Sequence, residues 1–292
     1  MLSLAALKKR IRTAGDLLAV VKTMKALAAV NIRQFEAAVE SLEGCAAVAD
    51  QGLHAFFRAH GPLPPVRTGP AGLVLVLGSD QGMCGGFNEA AAQAAAAQVA
   101  ALAAGGARVR VWTCGERVRA ALEAAGLASD LHLAMPGGLH GIPPLAAELI
   151  LRYEADLGTR GAETLVLAHN RLARTGAYEP AVRRLLPLDR DWQAPYLAPW
   201  PRRCLPETGL PAGELFPELF RHYLAISLYR AFGLSLAAEN AARLAAMQAA
   251  EKNIEERSEE LARSFREARQ TLVTAELLDV IAGFEALSGP EA

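Results

Sequence analysis

The 292-residue chain has no excess of charge of either sign. Its 30 lysines and arginines nearly balance 31 aspartates and glutamates, which leaves a formal net charge of −1 at pH 7. A strongly basic or acidic balance is the usual sign of a polyanionic or polycationic partner. We therefore expect no nucleic acid among the partners. One basic block, Lys8, Lys9, Arg10 and Arg12, is more often a solvated helix face than a binding site.

Cysteine is scarce, and long apolar runs are missing. The four cysteines, at positions 45, 84, 114 and 204, form no Cys-x-x-Cys pair and have no histidine at metal-binding spacing, so we expect reduced thiols. The longest uncharged run, residues 90–107, is alanine-rich and contains two glutamines and two glycines. It is too weakly apolar to span a bilayer. We expect a soluble protein with no direct membrane insertion, able to dock on a membrane complex.

The last quarter of the chain lacks proline and nearly lacks glycine. The 70 residues from Glu218 to Leu287 contain no proline and only two glycines, Gly233 and Gly283. An unbroken helix over this stretch would be roughly 105 Å long at 1.5 Å per residue. Helix propagation alone is nearly neutral in free energy, so such a helix needs a partner of similar length.

The N-terminal segment is the predicted partner, because it contains no proline before Pro62. One register with alternating steps of three and four runs through it, and a 3.5-residue repeat of this length is typical of a left-handed coiled coil. Fifteen of its sixteen positions are apolar. The exception, Lys25, requires a partner carboxylate or an opening to water, or simply extends its ammonium into solvent. The positions are Leu4, Leu7, Ile11, Ala14, Leu18, Val21, Lys25, Ala28, Ile32, Phe35, Val39, Leu42, Ala46, Ala49, Leu53 and Phe56.

Between these helices the pattern alternates between strands and helices, which predicts a largely parallel sheet. The predicted strands are 73–77, 108–113, 131–135 and 163–168, and the predicted helices are 89–103, 116–125 and 145–157. The predicted fold class is α/β: a long antiparallel coiled coil of N- and C-terminal helices with an inserted Rossmann-like α/β domain. The predicted domains are 1–60, 72–200 and 214–288, with linkers at 61–71 and 201–213. The return connector, Pro195 to Pro217, holds six prolines.

A glycine-rich turn, Gly78–Asn88, follows the first strand and precedes a helix, where phosphate-binding loops lie. It lacks the Gly-Lys-Ser/Thr ending of a P-loop, and no acidic residue follows about 20 positions later. A tight turn that needs positive φ is the stronger interpretation, and nucleotide binding is the weaker one. No histidine has a neighbouring nucleophile or a partner at zinc spacing. We therefore predict no catalytic residue, no cofactor and no metal.

Three blocks of sequence resemble the gamma subunit of the F-type ATP synthase, the rotating central stalk. They are Arg12–Arg33, Gly78–Asn88, and Glu239–Met247 with its continuation Arg269-Gln270, Thr274-x-Glu276-Leu277 and Glu285-Ala286-Leu287. The blocks occur in the family's order, and the resemblance covers nearly the full length.

The resemblance implies a non-catalytic rotor shaft that couples ion-driven rotation at the membrane to ATP synthesis or hydrolysis. The implied partners are the alpha and beta subunits of the catalytic ring, the epsilon subunit and the membrane c-ring. The implied location is peripheral, on the cytoplasmic face of the inner (plasma) membrane. The resemblance also implies contacts with the beta subunits at Met24 and Lys25 and at the opposing Arg269, Gln270 and Thr274. The tip, with Phe284 and Leu287, would lie in an apolar sleeve.

The chain also departs from the family pattern. Val21-Lys22-Thr23-Met24 stands where Thr-Lys-Ala-Met is common, and Glu251-Lys252 stands where Thr-Asp is usual. These departures indicate a divergent branch, such as an alternative F-type ATPase that exists beside a conventional one. Two other interpretations stay open: a nucleotide-binding enzyme whose long helices mediate dimerisation, and a static coiled-coil scaffold.

Overall fold

The computed structural model describes residues 3–64, 71–160, 163–173, 177–200, 203–204, 206–207 and 209–287, with backbone only at 158–160, 163 and 284–287. The chain divides into two compact units. The terminal unit contains Met1–Leu27 and Leu244–Ala292, and the sheet unit contains Ala28–Arg243. The domain boundaries drawn from the sequence stay a prediction.

The elements in chain order are α1 (Leu4–His60), β1 (Ala71–Leu77), α2 (Phe87–Ala104), β2 (Arg108–Cys114), α3 (Glu116–Ala124), β3 (Leu131–Leu133), α4 (Ile142–Arg160), β4 (Glu163–Leu172), β5 (Tyr178–Leu186), α5 (Arg190–Gln193) and α6 (Ala212–Leu287), with 3-10 turns at Leu139–Gly141 and Ala194–Leu197.

The sheet has five strands in the order β3-β2-β1-β4-β5. The first four are parallel, and β5 is antiparallel to β4. The predicted α/β class with a largely parallel sheet is therefore confirmed. Strand β5 was not predicted from the sequence, because this edge strand is mostly solvent-accessible and carries Glu179, Pro180, Arg183 and Arg184. Proline and charge on an edge strand prevent further pairing, and they also hide the strand from a search for apolar runs.

The apolar run of β1 is explained by cover on both faces of the sheet. Leu73, Leu75 and Leu77 belong to an apolar cluster with residues of α4 and α6. Val74 and Val76 belong to a second cluster with residues of α2 and α3. Successive side chains of a strand point to opposite faces, so a central strand of a two-sided sheet has no polar position.

The 3.5-residue register predicted for α1 is confirmed residue by residue. All sixteen positions are buried or half-buried, whereas most residues between them are exposed. Near the end of the helix the pattern broadens, and Ala55 and Phe57 are buried as well. The reason is local, because aromatic side chains such as Trp192 and Phe216 surround this end of α1.

Helix α6 begins at Ala212, inside the predicted connector that ends at Pro217. A proline inside a helix removes the hydrogen bond to the carbonyl four residues earlier. Here that carbonyl belongs to Gly213, which is exposed and can be hydrated. The proline therefore does not mark the start of the helix.

The glycine-rich turn makes its side-chain hydrogen bonds within the chain. The Ser79 amide donates to Asn88 Oδ1 at 2.9 Å, and Asn88 Nδ2 donates to Ser79 Oγ at 2.9 Å. Asp80 accepts from the backbone amides of Glu116 and Met135, both at 2.9 Å. The turn thus ties the carboxyl ends of neighbouring strands together, which favours the structural interpretation over nucleotide binding.

We predict that Gly78→Ala destabilises the sheet unit. The added Cβ would lie 2.3 Å from Val118 Cβ and 2.7 Å from Asn88 Oδ1, so the packed turn must shift. Overpacking of this kind costs about 1–3 kcal/mol. The measurement is urea unfolding followed by tryptophan fluorescence, with Gly137→Ala as the control because nothing lies within 4 Å of its added Cβ. Equal midpoints for the two variants would contradict the prediction.

Candidate functional site: the paired helices of the terminal unit

In the terminal unit the first part of α1 and the last part of α6 run antiparallel. Lys25 contacts Glu251, while residues 3–10 line one groove together with residues 257–275. Leu7 and Val21 of α1 are buried in this pairing, and the other seam positions of the segment are half-buried. The seam follows from the apolar repeat, since each step of three or four residues returns to the same helix face.

A cluster of four charges lies on this helix pair. Lys25 Nζ donates to Glu251 Oε2 at 2.5 Å, and the Glu251 side chain is only 16% exposed. Lys22 Nζ lies 3.8 Å from Glu251 Oε1 and 3.4 Å from Glu255 Oε1. The lysine in the seam is therefore answered by a carboxylate of the opposite helix, the first of the two possibilities that the sequence left open.

The Lys25–Glu251 contact also shifts the pKa of the glutamate. The hydrogen bond from Lys25 lowers the pKa of the Glu251 carboxyl. Partial burial acts in the opposite direction, and the positive charges of Lys25 and Lys22 add to the lowering. Glu251 belongs to the departures from the family pattern noted above, whereas Lys22 matches that pattern.

The predicted contact residues do not lie opposite one another. Met24 is half-buried beside Lys25, whereas Arg269, Gln270 and Thr274 are exposed. Arg269 lies 18 residues beyond Glu251, about 27 Å along the helix at 1.5 Å per residue. The expectation of opposing residues was wrong, because the antiparallel pairing places Glu251 against Lys25. The side chains of two other predicted contacts, Phe284 and Leu287, lie outside the described residues.

The last described turns of α6 are exposed on all sides. Every residue from Leu272 through Ile281 is exposed, although the segment is rich in aliphatic side chains. Their exposed fractions range from 45% for Ile281 to 72% for Val280. The set is Leu272, Val273, Leu277, Leu278, Val280 and Ile281. A contiguous exposed apolar surface of this kind usually marks an interaction site.

In the sheet unit, two of the resembling blocks contact each other. Ala238 and Ala242 of α6 pack against Cys84 and Phe87 of the glycine-rich turn. Beside them the Arg243 Nη2 donates to Glu239 Oε1 at 2.6 Å, with both side chains about nine-tenths buried. Burial raises the pKa of the Glu239 carboxyl, and the Arg243 charge opposes the shift. The Arg243–Glu239 ion pair was not predicted from the sequence, where its one signal is the i,i+4 spacing of the two charges.

His169, the histidine that follows a predicted strand, is buried. Its Nδ1 is 2.9 Å from the carbonyl oxygen of Asn170, and burial lowers its pKa. Among the described residues, no group of three or more His, Cys, Asp or Glu side chains could hold a metal ion. Within the same ranges, no helix is both long enough and apolar enough to cross a membrane.

Known proteins resemble the chain over its whole length. The family described as ATP synthase matches residues 3–287. The ATP synthase gamma chain of Aliarcobacter butzleri is 30% identical over 216 residues, which cover 73% of this chain and 72% of that one. The chain belongs to the ATP synthase gamma chain family. The gamma chain of Geobacter metallireducens is 27% identical over 296 residues, covering 99% of this chain and all of its own length.

Solved structures of ATP synthases share the gamma-chain fold. A chain of the Euglena gracilis mitochondrial ATP synthase superposes with a TM-score of 0.65 at 14% identity, covering 97% of this chain and 94% of that one. A chain of the Tetrahymena thermophila mitochondrial enzyme gives a TM-score of 0.56 at 20% identity, covering 79% and 99%. At these identities the likeness concerns the fold.

We predict that exchanging the charges of Lys25 and Glu251 preserves helix pairing. Lys25→Glu alone brings two carboxylates together, and Glu251→Lys alone gathers three ammonium groups, so each single variant should lower the thermal midpoint. The double variant should recover at least half of the loss, because an opposite-charge pair is restored. The measurement is thermal unfolding followed by far-UV circular dichroism.

The matched control is the exchange of Lys252 and Glu256, an i,i+4 pair with side chains 78% and 63% exposed. An exposed pair contributes at most about 1 kcal/mol, so this exchange should change the midpoint little. A double variant Lys25→Glu, Glu251→Lys that is no more stable than the worse single variant would contradict the prediction.

We predict that the stabilising effect of Glu251 depends on pH in the acid range. Since the folded-state pKa is lowered, the unfolded state binds more protons between the two pKa values, and stability rises with pH there. The effect should be complete above the unfolded value of about 4.3 and lost as pH falls through the folded value. The measurement is the difference in thermal midpoint between the parent and Glu251→Gln as a function of pH. A difference that stays constant into strong acid would refute the assignment, and Glu256→Gln is the exposed control.

Proposed function

We propose that this chain is the non-catalytic rotor shaft, or central stalk, of an F-type ATP synthase. It couples ion-driven rotation at the membrane to ATP synthesis or hydrolysis in a ring of alpha and beta subunits. The observation that carries the proposal, together with membership of the gamma chain family, is the exposed aliphatic end of α6. A helix end with several exposed Leu, Val and Ile side chains requires an apolar surround in the assembled protein.

Apolar contact suits a rotating helix end. Hydrogen bonds and ion pairs depend on direction and would favour one angle of the shaft, whereas hydrophobic contact is non-directional. We place the exposed end of α6, with Phe284 and Leu287, in an apolar sleeve of the ring. The paired helices then present different side chains to the three catalytic sites, and these differential contacts bias the state of each site.

The proposed partners are the alpha and beta subunits, the epsilon subunit and the membrane c-ring. The Euglena structure contains OSCP, F1 and the c-ring, and the Tetrahymena chain is part of a central stalk with a c-ring, which supports the proposal.

We propose a peripheral position on the cytoplasmic face of the inner (plasma) membrane. Identities of 25–30% to its bacterial relatives agree with the proposed divergent branch.

The proposed contacts with the beta subunits are Met24, Lys25, Arg269, Gln270 and Thr274. Three of them, Arg269, Gln270 and Thr274, are exposed on one segment of α6. The side chain of Thr274 donates within the helix, from Oγ1 to the Gln270 carbonyl oxygen at 3.0 Å. The Lys25 ammonium already binds Glu251. A contact with a beta subunit would therefore use the same ammonium group at the same time.

The test is co-expression with alpha and beta subunits, followed by gel filtration and an ATPase assay. One copy of the chain should co-elute with a hexameric ring, and turnover should depend on it. Elution of the chain as a separate oligomer, with a ring assembled without it, would overturn the proposal. In that case the isolated chain should be tested for nucleotide binding, and a bulky residue at Gly85 would show whether the glycine-rich turn is the binding site.

We predict that the double variant Arg269→Ala, Gln270→Ala lowers ATP turnover of the assembled complex while the chain remains folded. Two exposed polar contacts are lost, and we expect a decrease of about twofold to tenfold, or ~0.4–1.4 kcal/mol in the barrier. The control is Gln93→Ala with Arg108→Ala, an exposed pair in the sheet unit. Unchanged turnover in a complex that contains the variant would speak against these contacts and for a static scaffold.

A further inference from the structure

A cavity of ≈ 310 Å³ that opens to solvent lies in the sheet unit, between α1, α6 and the segment that follows β5. Its α1 wall is formed by residues between Val39 and Asp50, and its α6 wall by residues between Tyr223 and Arg230. Trp192 and Tyr196 close the third side. The volume is at the small end of the range for ligand pockets, which begins at about 300 Å³.

The cavity exists because α1 and α6 approach each other closely at both of its ends but lie farther apart between them. At one end, a Cβ on Gly233 would lie 2.6 Å from Val39 Cγ2, and at the other a Cβ on Gly52 would lie 2.9 Å from Leu219 Cδ2. Between these points two seam positions of α1 carry only alanine, Ala46 and Ala49, and both line the cavity. Gly233 and Gly52 therefore allow the two helices to approach closely, while the short side chains of Ala46 and Ala49 leave the space between the two helices unfilled.

Two hydroxyl groups on α6, one turn apart, reach this cavity with hydrogen-bonding capacity to spare. Ser227 is 6% exposed, and its side chain has no hydrogen-bond partner among the described residues. The Tyr223 hydroxyl oxygen accepts from Arg183 Nη2 at 2.8 Å and from Trp192 Nε1 at 2.9 Å. With both acceptor positions occupied, the hydroxyl proton of Tyr223 has no acceptor within the described part of the chain. Both residues line the cavity, so an acceptor bound there can receive a hydrogen bond from each hydroxyl.

The charges around the cavity are of both signs and are partly unpaired. Asp50 accepts from the Tyr196 hydroxyl at 2.8 Å, and Arg183 is engaged by Tyr223. Glu43 of α1, Asp191 of α5 and Arg230 of α6 line the cavity, all three are exposed, and none forms an ion pair with a described residue. An anion alone would be repelled by the carboxylates of Glu43 and Asp191, and a cation alone would be repelled by the guanidinium of Arg230.

We propose that this cavity binds a small zwitterion with an apolar side chain, of the class of the free apolar α-amino acids. Its carboxylate would accept from the Ser227 and Tyr223 hydroxyls and pair with Arg230. Its ammonium group would pair with Glu43 and Asp191, and its side chain would fill the space above Ala46. Binding to the isolated chain does not depend on the rotor role, so this inference stands or falls separately from it.

The test is isothermal titration calorimetry of the purified full chain with L-phenylalanine and L-leucine. We expect saturable binding with a Kd of about 1 mM or below for at least one of them. N-acetyl-L-phenylalanine lacks the ammonium and L-phenylalaninamide lacks the carboxylate, and each should bind about tenfold more weakly or worse. Equal binding of all three phenylalanine compounds would show filling of an apolar gap only and would overturn the proposal, as would no saturable binding of either amino acid.

Variants locate the site. Ala46→Leu fills the cavity from its α1 wall and should abolish binding, whereas Ala47→Leu on the exposed face of the same helix should leave binding unchanged. Ser227→Ala removes one donor without a steric change and should weaken binding several-fold. Circular dichroism of each variant shows whether the chain is folded, and Ser227→Ala serves if Ala46→Leu does not fold. Binding by folded Ala46→Leu with parental affinity, or by Ser227→Ala with parental affinity where Ala46→Leu is unfolded, would place the ligand elsewhere and overturn the proposal.

Discussion

The structure depends on the packing of one very long helix against another. Helix α6 has 76 residues and α1 has 57, and neither could be stable in water by its own hydrogen bonds. In the terminal unit the seam residues of the two helices cover each other, and in the sheet unit both helices also contribute to the core beneath the sheet. The apolar repeat of α1 is therefore the feature on which the long helix α6 depends.

Small residues and charges adjust this packing locally. Gly52 and Gly233 let side chains of the opposite helix approach closely, and Ala238 and Ala242 do the same for the glycine-rich turn. Lys25 interrupts the apolar seam, and the Glu251 carboxylate neutralises the lysine charge. A single polar pair in an apolar seam disfavours other registers of the two helices, because any shift would leave a charge unpaired.

The fold could be predicted from the sequence wherever the signal is local and periodic. The α1 register, the buried strand β1 and the alternation of strands with helices are patterns within a few residues, and each was confirmed. The strand β5 was missed because an edge strand with proline and charges has no such pattern. The partner of Lys25, the contact of Ala238 and Ala242 with the glycine-rich turn, and the cavity beside Ser227 all depend on residues far apart in the chain. Periodicity carries no information about such contacts.

The pairing of the two chain ends has a consequence for synthesis on the ribosome. Lys25 and Glu251 are 226 residues apart in the sequence. At about 5–20 residues per second, roughly 11–45 s pass between the appearance of the two partners. For that time the apolar seam of α1 has no long helix to cover it, while the strands of the sheet are already being made. The order of translation thus gives the sheet a head start, and the apolar seam of the nascent α1 stays uncovered until α6 has been made.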